Sequence, residues 1–134
     1  MDNLLSFIGL MRKASALTAG AEASFDACRT GRARLIVTAA DISPNTLGAA
    51  REAAAERGTP HIALPCGKAE VGRALGAGDC AVFTVCDTGF AIALCQKTGC
   101  TGPLEELERR LRREKKKSRT RGKADTSARR GTRR

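Results

Sequence analysis

Along the first hundred residues the spacing of apolar positions changes repeatedly, and each change marks an element. From Asp2 to Lys13, Leu4, Leu5, Ile8 and Met11 recur at spacings of three and four. That puts them on one face of a helix, whose first turn Asp2 can cap by accepting orphan amide hydrogens. A second helix is expected over Ala21–Thr30, opened by Gly20, striped by Ala23, Ala27 and Cys28, and stopped by Gly31. Arg34-Leu35-Ile36-Val37-Thr38-Ala39 follows at once. It is β-branched and apolar on both sides, the pattern of a strand covered on two faces at the centre of a sheet.

The alternation continues. In Asp41-Ile42-Ser43-Pro44, Ser43 reads as an N-cap and Pro44 as the first helical residue, where a missing amide hydrogen costs nothing, and the helix should run to about Arg57. Gly58-Thr59-Pro60 breaks the chain before a short strand, His61 to Leu64. Pro65 to Gly67 breaks it again before a helix from Lys68 to Leu75. Cys80 to Cys86 is a further strand, after which Asp87 can cap a helix from Thr88 to about Gln96, with Gly99 as its stop. Helices alternating with strands predict an α/β layered domain with a mainly parallel or mixed sheet and helices on both faces. No internal repeat interrupts it.

Past this region the chain changes character, giving an α/β domain over residues 1–102 and a charged segment over 103–134. Leu104, Leu107 and Leu111, interleaved with glutamates and arginines, predict a short charged helix. From Lys115 onward there are no large apolar residues, so the segment cannot bury enough surface to offset its ordering entropy and is expected to be disordered.

Charge follows the same division. Of the formal +10, residues 1–103 carry 10 Lys or Arg against 9 Asp or Glu, whereas residues 104–134 carry 14 against 5. A single-sign run of this size attracts a polyanion. Aromatic residues are 3% of the chain, so stacking on bases is not its means of binding. Phosphate neutralisation by Lys115, Lys116, Lys117, Arg119, Arg121 and Lys123 is, with a strong dependence on salt. A membrane partner would need a long apolar span, an amphipathic basic helix with large apolar anchors, or a lipidation motif, and none is present. The N-terminus begins with an acid and places its basic pair after the apolar residues, so it does not read as a secretory signal. Six cysteines are then expected to stay reduced, in the cytoplasm.

The inventory for catalysis is thin. His61 is the one histidine, set in a short apolar strand, and tyrosine and tryptophan are absent. Gly76-Ala77-Gly78-Asp79-Cys80-Ala81 fits G-x-G-x-x-A, but it follows a predicted helix and precedes a strand, the reverse of a dinucleotide site. No P-loop motif is present. Cys95 and Cys100 are spaced C-x4-C, and Cys80 and Cys86 would share a strand face, yet no second close pair completes a zinc site. No enzyme activity, cofactor or metal is expected. Arg12 and Lys13, with Arg32 and Arg34 beside Gly31, would place positive charge at one end of the sheet near the start of the Gly20 helix, where phosphates are also attracted.

Several of these stretches together resemble a known family: Leu5-Ser6-Phe7-Ile8-Gly9-Leu10, Gly20, Gly31-Arg32-Ala33-Arg34-Leu35-Ile36-Val37, Ala40-Asp41-Ile42-Ser43-Pro44-Asn45-Thr46-Leu47, and Lys68-Ala69-Glu70-Val71-Gly72-Arg73-Ala74-Leu75-Gly76. Over residues 2 to 97 the chain resembles the kink-turn RNA-binding ribosomal proteins of the archaeal L-seven-Ae type, and most of all their free-standing bacterial YlxQ-like members. The resemblance implies a three-layer α/β/α sandwich that binds sharply bent RNA, ribosomal RNA among the possible targets, through one end of the domain, without catalysis.

It also implies where contacts fall. The family's G-x-N-E-x-x-K stretch aligns with Gly20, Ala21, Glu22, Ala23 and Asp26, so the glycine is kept while Glu22 stands for the asparagine and Asp26 for the lysine. A carboxylate can still accept from a guanine or cytosine amino group. The other contacting segments align with Arg32, with Asp41, Ile42 and Ser43, with Lys68, and with the loop of Gly76, Ala77, Gly78 and Asp79. The alternative is a protein-interaction module of the same fold, associating with RNA only through its tail.

Overall fold

The computed structural model describes residues 2–117. The capping expected of the Asp2 side chain and the phosphate contacts expected of Arg119, Arg121 and Lys123 lie outside the described residues. In chain order the elements are α1 (Asp2–Lys13), β1 (Leu17–Ala19), α2 (Ala21–Arg29), β2 (Leu35–Thr38), α3 (Pro44–Glu56), β3 (His61–Ala63), α4 (Lys68–Ala74), β4 (Val82–Val85) and α5 (Thr88–Thr98). A sixth helix, α6, covers 104–117. The sheet has the order β1-β4-β2-β3, with β2 parallel to β3 and β4 antiparallel to both β1 and β2.

Period-two alternation on β2 and β4 builds the three layers. Leu35, Val37, Phe83 and Val85 point to one face and pack with α1, α4, α5 and α6 through Ile8, Met11, Val71, Leu75, Leu94 and Leu107. Ile36 and Val82 point to the other face and pack with α2 and α3. That second layer is built largely from Ala27, Ala50, Ala53 and Ala54, whose short side chains let the two helices approach the sheet closely. The chain is a three-layer α/β/α sandwich with a mixed sheet and β2 in its interior, as the sequence predicts.

The caps explain several boundaries. Ser43 accepts from the Thr46 amide at 3.3 Å and Pro44 follows as the first helical residue of α3. Asp87 accepts from the Phe90 amide at 2.9 Å, and Gly99 stops α5 as expected, in the left-handed region at φ 72°, with the helix running two residues past Gln96 to Thr98.

Two features differ from expectation. β1 is not visible in the sequence pattern; it is three residues long and pairs Leu17 with Val85 and Ala19 with Phe83. The charged helix also runs on through Lys115, Lys116 and Lys117, where composition predicts disorder. Lysine is a good helix former, and propagation from a turn already fixed by packing adds residues at little cost. That fixed turn is supplied by Leu107, 1% exposed in the core, and by Glu114, whose Oε2 accepts from Arg34 Nε at 3.2 Å and from the Thr88 hydroxyl at 3.0 Å. α6 therefore lies across the end of the sheet where β3 and β2 begin and β4 ends.

Candidate nucleic-acid interface

β1, β2 and β3 run the same way and β4 runs against them. The residues following the first three strands and preceding the fourth are therefore delivered to one end of the sheet. Main-chain bonds knit them together: Gly20 N to Val82 O, Ala39 N to Ala81 O, Ala40 N to Cys66 O and Cys80 N to Lys68 O, each at 2.9 Å. This loop end gathers Gly20–Glu22, Asp41–Ser43, Lys68 and the 76–79 loop, which are eleven of the twelve core residues that the sequence reading nominated.

Gly20 turns the chain from β1 into α2 at φ 95° and ψ 153°, a conformation closed to other residues. A Cβ there would meet nothing within 4 Å, so the backbone angle, not crowding, demands glycine. No side chain caps the α2 N-terminus, leaving first-turn amides of Ala21 and Glu22 directed outward at the positive end of the helix dipole. Glu22 is exposed beside them.

Asp41 is exposed, yet its carboxylate is committed within the protein. Its Oδ1 accepts the Lys68 amide at 2.8 Å, clamping the turn before α3 onto the start of α4. Glu70 adds a second bond there, accepting from the Gly67 amide at 3.2 Å. Ile42 is half-buried against the alanine-rich layer, and Ser43 is spent on capping α3. These three residues shape the surface, while the exposed Lys68 side chain supplies its cation.

The loop of Gly76, Ala77, Gly78 and Asp79 is exposed throughout and leads from a helix into a strand, so the G-x-G-x-x-A spacing makes no dinucleotide site. It is seated on Gly72 of α4. A Cβ at Gly72 would collide with the Gly78 carbonyl oxygen and stand 2.7 Å from its carbon and 3.0 Å from Asp79 Cα. Arg12 lies alongside, with Nη1 3.6 Å from the position a Cβ on Gly76 would take. Sequence reasoning grouped Arg12 with Arg32 and Arg34. The Arg12 guanidinium instead lies beside the 76–79 loop, while Arg32 and Arg34 flank the start of β2.

Arg32 is the nominated residue that the fold does not bring to this end. The turn of residues 30–34 enters β2 at its start, the width of the sheet away from Thr38, roughly 13 Å for a four-residue strand. There Arg32 Nη2 donates to Asp26 Oδ2 at 3.3 Å and Nε to the Thr30 hydroxyl at 3.1 Å. Asp26 is 3.9 Å from Arg29 as well. Lys115, Lys116 and Lys117 are exposed on α6, at the same far end as Arg32.

Comparison with known proteins bears on the fold. No family model matches the chain, and no curated protein does. Among solved structures, a protein of unknown function from Bacillus halodurans is similar at a TM-score of 0.64 and 26% identity, over 69% of this chain and 93% of that one. The Giardia lamblia 15.5kD RNA binding protein is similar at 0.60 and 21% identity, over 78% and 86%. The chain shares their fold.

His61 Nε2 lies 2.9 Å from the Thr38 hydroxyl, and burial, with Arg51 adding repulsion, holds its pKa below the ordinary 6.5. Burial pushes the thiols of Cys28 and Cys66 up, and that of Cys95 to about 11. Cys95 and Cys100, the C-x4-C pair, flank the end of α5. Among the described residues no group of three or more His, Cys, Asp or Glu side chains is placed to hold a metal ion. No helix among them is long and apolar enough to cross a membrane.

Proposed function

We propose that this protein is a noncatalytic RNA-binding protein whose loop end reads a kink-turn or a similarly bent RNA, in a ribosome-related setting, with the basic C-terminal segment adding phosphate contacts. The observation that carries the reading is the convergence of Gly20–Glu22, Asp41–Ser43, Lys68 and the 76–79 loop at one end of the sheet. The shared fold of a Giardia RNA binding protein supports RNA as the ligand class.

The chemistry of that end suits recognition by shape. Its exposed charges are mixed, with Glu22, Asp41 and Asp79 set against Lys68 and Arg12, so a strong positive field is lacking. What it offers instead is backbone: the uncapped α2 amides and a glycine-rich loop that a sugar-phosphate chain can approach closely. Glu22 can accept from an exocyclic amino group of a base held at the bend. Nonspecific affinity then falls to the basic segment.

The test compares a bent RNA with a matched straight duplex, using the full chain and a chain ending after residue 117, from about 50 to 200 mM salt. The cut is placed there because an earlier one, near Pro103, would remove Leu107 from the core. Preference for the bent RNA in both chains, with a shallower salt slope in the shorter one, is the expected result. Equal binding of both RNAs by both chains would refute shape recognition and favour the protein-interaction reading.

A further inference from the structure

At the end of the sheet opposite the loops, α6 does not close flush against the strands. Between it and the turns before β2 and β3 lies a mostly polar cavity of about 310 Å³, lined by Arg34, Arg57, Thr59, Glu106 and Arg110, with Gly31 and Gly58 in its walls. Arginines from three separate parts of the chain thus line one partly enclosed space. None of them was singled out as a group by sequence spacing.

Their commitments differ. Arg34 is spoken for: its Nε binds Glu114 at 3.2 Å, and its Nη1 donates to the carbonyls of Gly31 at 2.9 Å and Arg32 at 3.3 Å. Arg57 is anchored through Nε, which donates to the Arg29 carbonyl at 2.7 Å. That bond leaves the terminal nitrogens uncommitted, with Nη1 lying over Gly31, 3.1 Å from where a Cβ would be. Arg110 makes no hydrogen bond or ion pair among the described residues. Among the described residues neither Arg57 nor Arg110 has a carboxylate at ion-pair distance. With Arg34 offset by Glu114, the cavity holds two further cations against the single charge of Glu106.

We propose that this cavity is a binding site for a phosphate group, held by Arg57 and Arg110 and braced by Arg34. A guanidinium offers paired donors whose spacing matches two phosphate oxygens. A partly enclosed site weakens competition from water and strengthens the attraction. The volume is near the lower limit for small-ligand pockets, ample for a phosphate and its ester oxygens. The site lies at the far end from the loop surface and does not depend on that surface binding RNA. Where an RNA backbone supplies the phosphate, one molecule of the protein touches RNA at both ends of its sheet.

The test uses the full chain and thermal melting in inorganic phosphate against chloride of equal ionic strength. A rise in melting temperature specific to phosphate is expected. Arg110→Gln should weaken the apparent phosphate affinity about tenfold, the loss of one charge-assisted interaction, and Arg57→Gln with Arg110→Gln should abolish the rise. Arg110→Gln alone is decisive if the double variant fails to fold, because Arg110 makes no hydrogen bond or ion pair among the described residues. An equal rise in wild type and Arg110→Gln is a general salt effect and overturns the proposal, as does no rise at all.

A second arm identifies the source. A short unbent RNA with hydroxyl termini, carrying only phosphodiesters, competes with inorganic phosphate in an Arg110-dependent way if the backbone is the ligand. If it does not compete while inorganic phosphate binds, a free phosphate or phosphate monoester is the ligand, and the site stands. Loss of bent-RNA preference with phosphate binding retained would count against the loop-end reading alone. The converse would count against this cavity alone.

Discussion

Replacing Gly72 with alanine should destabilise the protein, although the same change in an open helix does the reverse. Gly→Ala in an unencumbered helix interior gains about 0.8–1 kcal/mol. Gly48, exposed in α3 with nothing within 4 Å of its would-be Cβ, is such a position and serves as the control. At Gly72 the new methyl would run into the Gly78 carbonyl, with that carbonyl's carbon at 2.7 Å and Asp79 Cα at 3.0 Å. These are backbone atoms, so relief requires moving the whole 76–79 loop. Overpacking of this kind costs about 1–3 kcal/mol. The displaced loop also strains the bonds from Ala77 N to Gly72 O and from Cys80 N to Lys68 O, both 2.9 Å, each contributing about 1 kcal/mol. After subtracting the helical gain, Gly72→Ala should be about 1–3 kcal/mol less stable than wild type, while Gly48→Ala is about 0.5–1 kcal/mol more stable. Urea midpoints at constant slope measure both. A Gly72→Ala protein as stable as wild type would mean that α4 does not hold the loop in the position described.

Three further outcomes follow from the same geometry. Asp41→Ala removes the acceptor for the Lys68 amide and should cost about 1 kcal/mol in urea melts; no change would show that the clamp is unimportant to the loop end. His61 has its folded pKa held below the unfolded 6.5, so the unfolded chain binds more protons between those two values. Stability should therefore fall as pH drops through that window, and the slope should vanish in His61→Gln; a slope unchanged in the variant would assign it to other groups. Glu22→Asn removes a carboxylate from beside the outward-directed α2 amides and should tighten binding to a bent RNA several-fold. Weaker binding would refute the mapping of the RNA-contacting stretch onto α2.

How much of this was legible in the sequence depended on whether the cause was local. α3 and α5 were readable because Ser43-Pro44, Asp87 and Gly99 act within one turn of where they sit. β1 was not, since three residues carry no periodicity and Leu17–Ala19 becomes a strand only by pairing with β4, more than sixty residues later. The persistence of α6 through Lys117 likewise depends on Leu107 and Glu114 meeting partners far away in the chain. At the candidate interface the segments that the resemblance aligned with contacts, Arg32 excepted, come to one end of the sheet. It could not tell that Asp41 is consumed in clamping α4, or that Arg32 faces the opposite end. The arginine cavity had no signal in spacing at all, because Arg34, Arg57 and Arg110 come together only when α6 crosses the strand ends.

The position of β4 between β1 and β2 also governs how the chain must assemble. Synthesis delivers β1, β2 and β3 first, yet of these only β2 and β3 are neighbours. Until Val82–Val85 has been made, β1 has no partner and β2 presents an unpaired apolar edge. Completion of the sheet must then wait for the β1–β4 contact, more than sixty residues apart in the chain, which is slow by its loop-closure entropy. A ribosome stalled, or a fragment ended, before residue 82 would leave a half-sheet with an open edge, the kind of template that other chains can join.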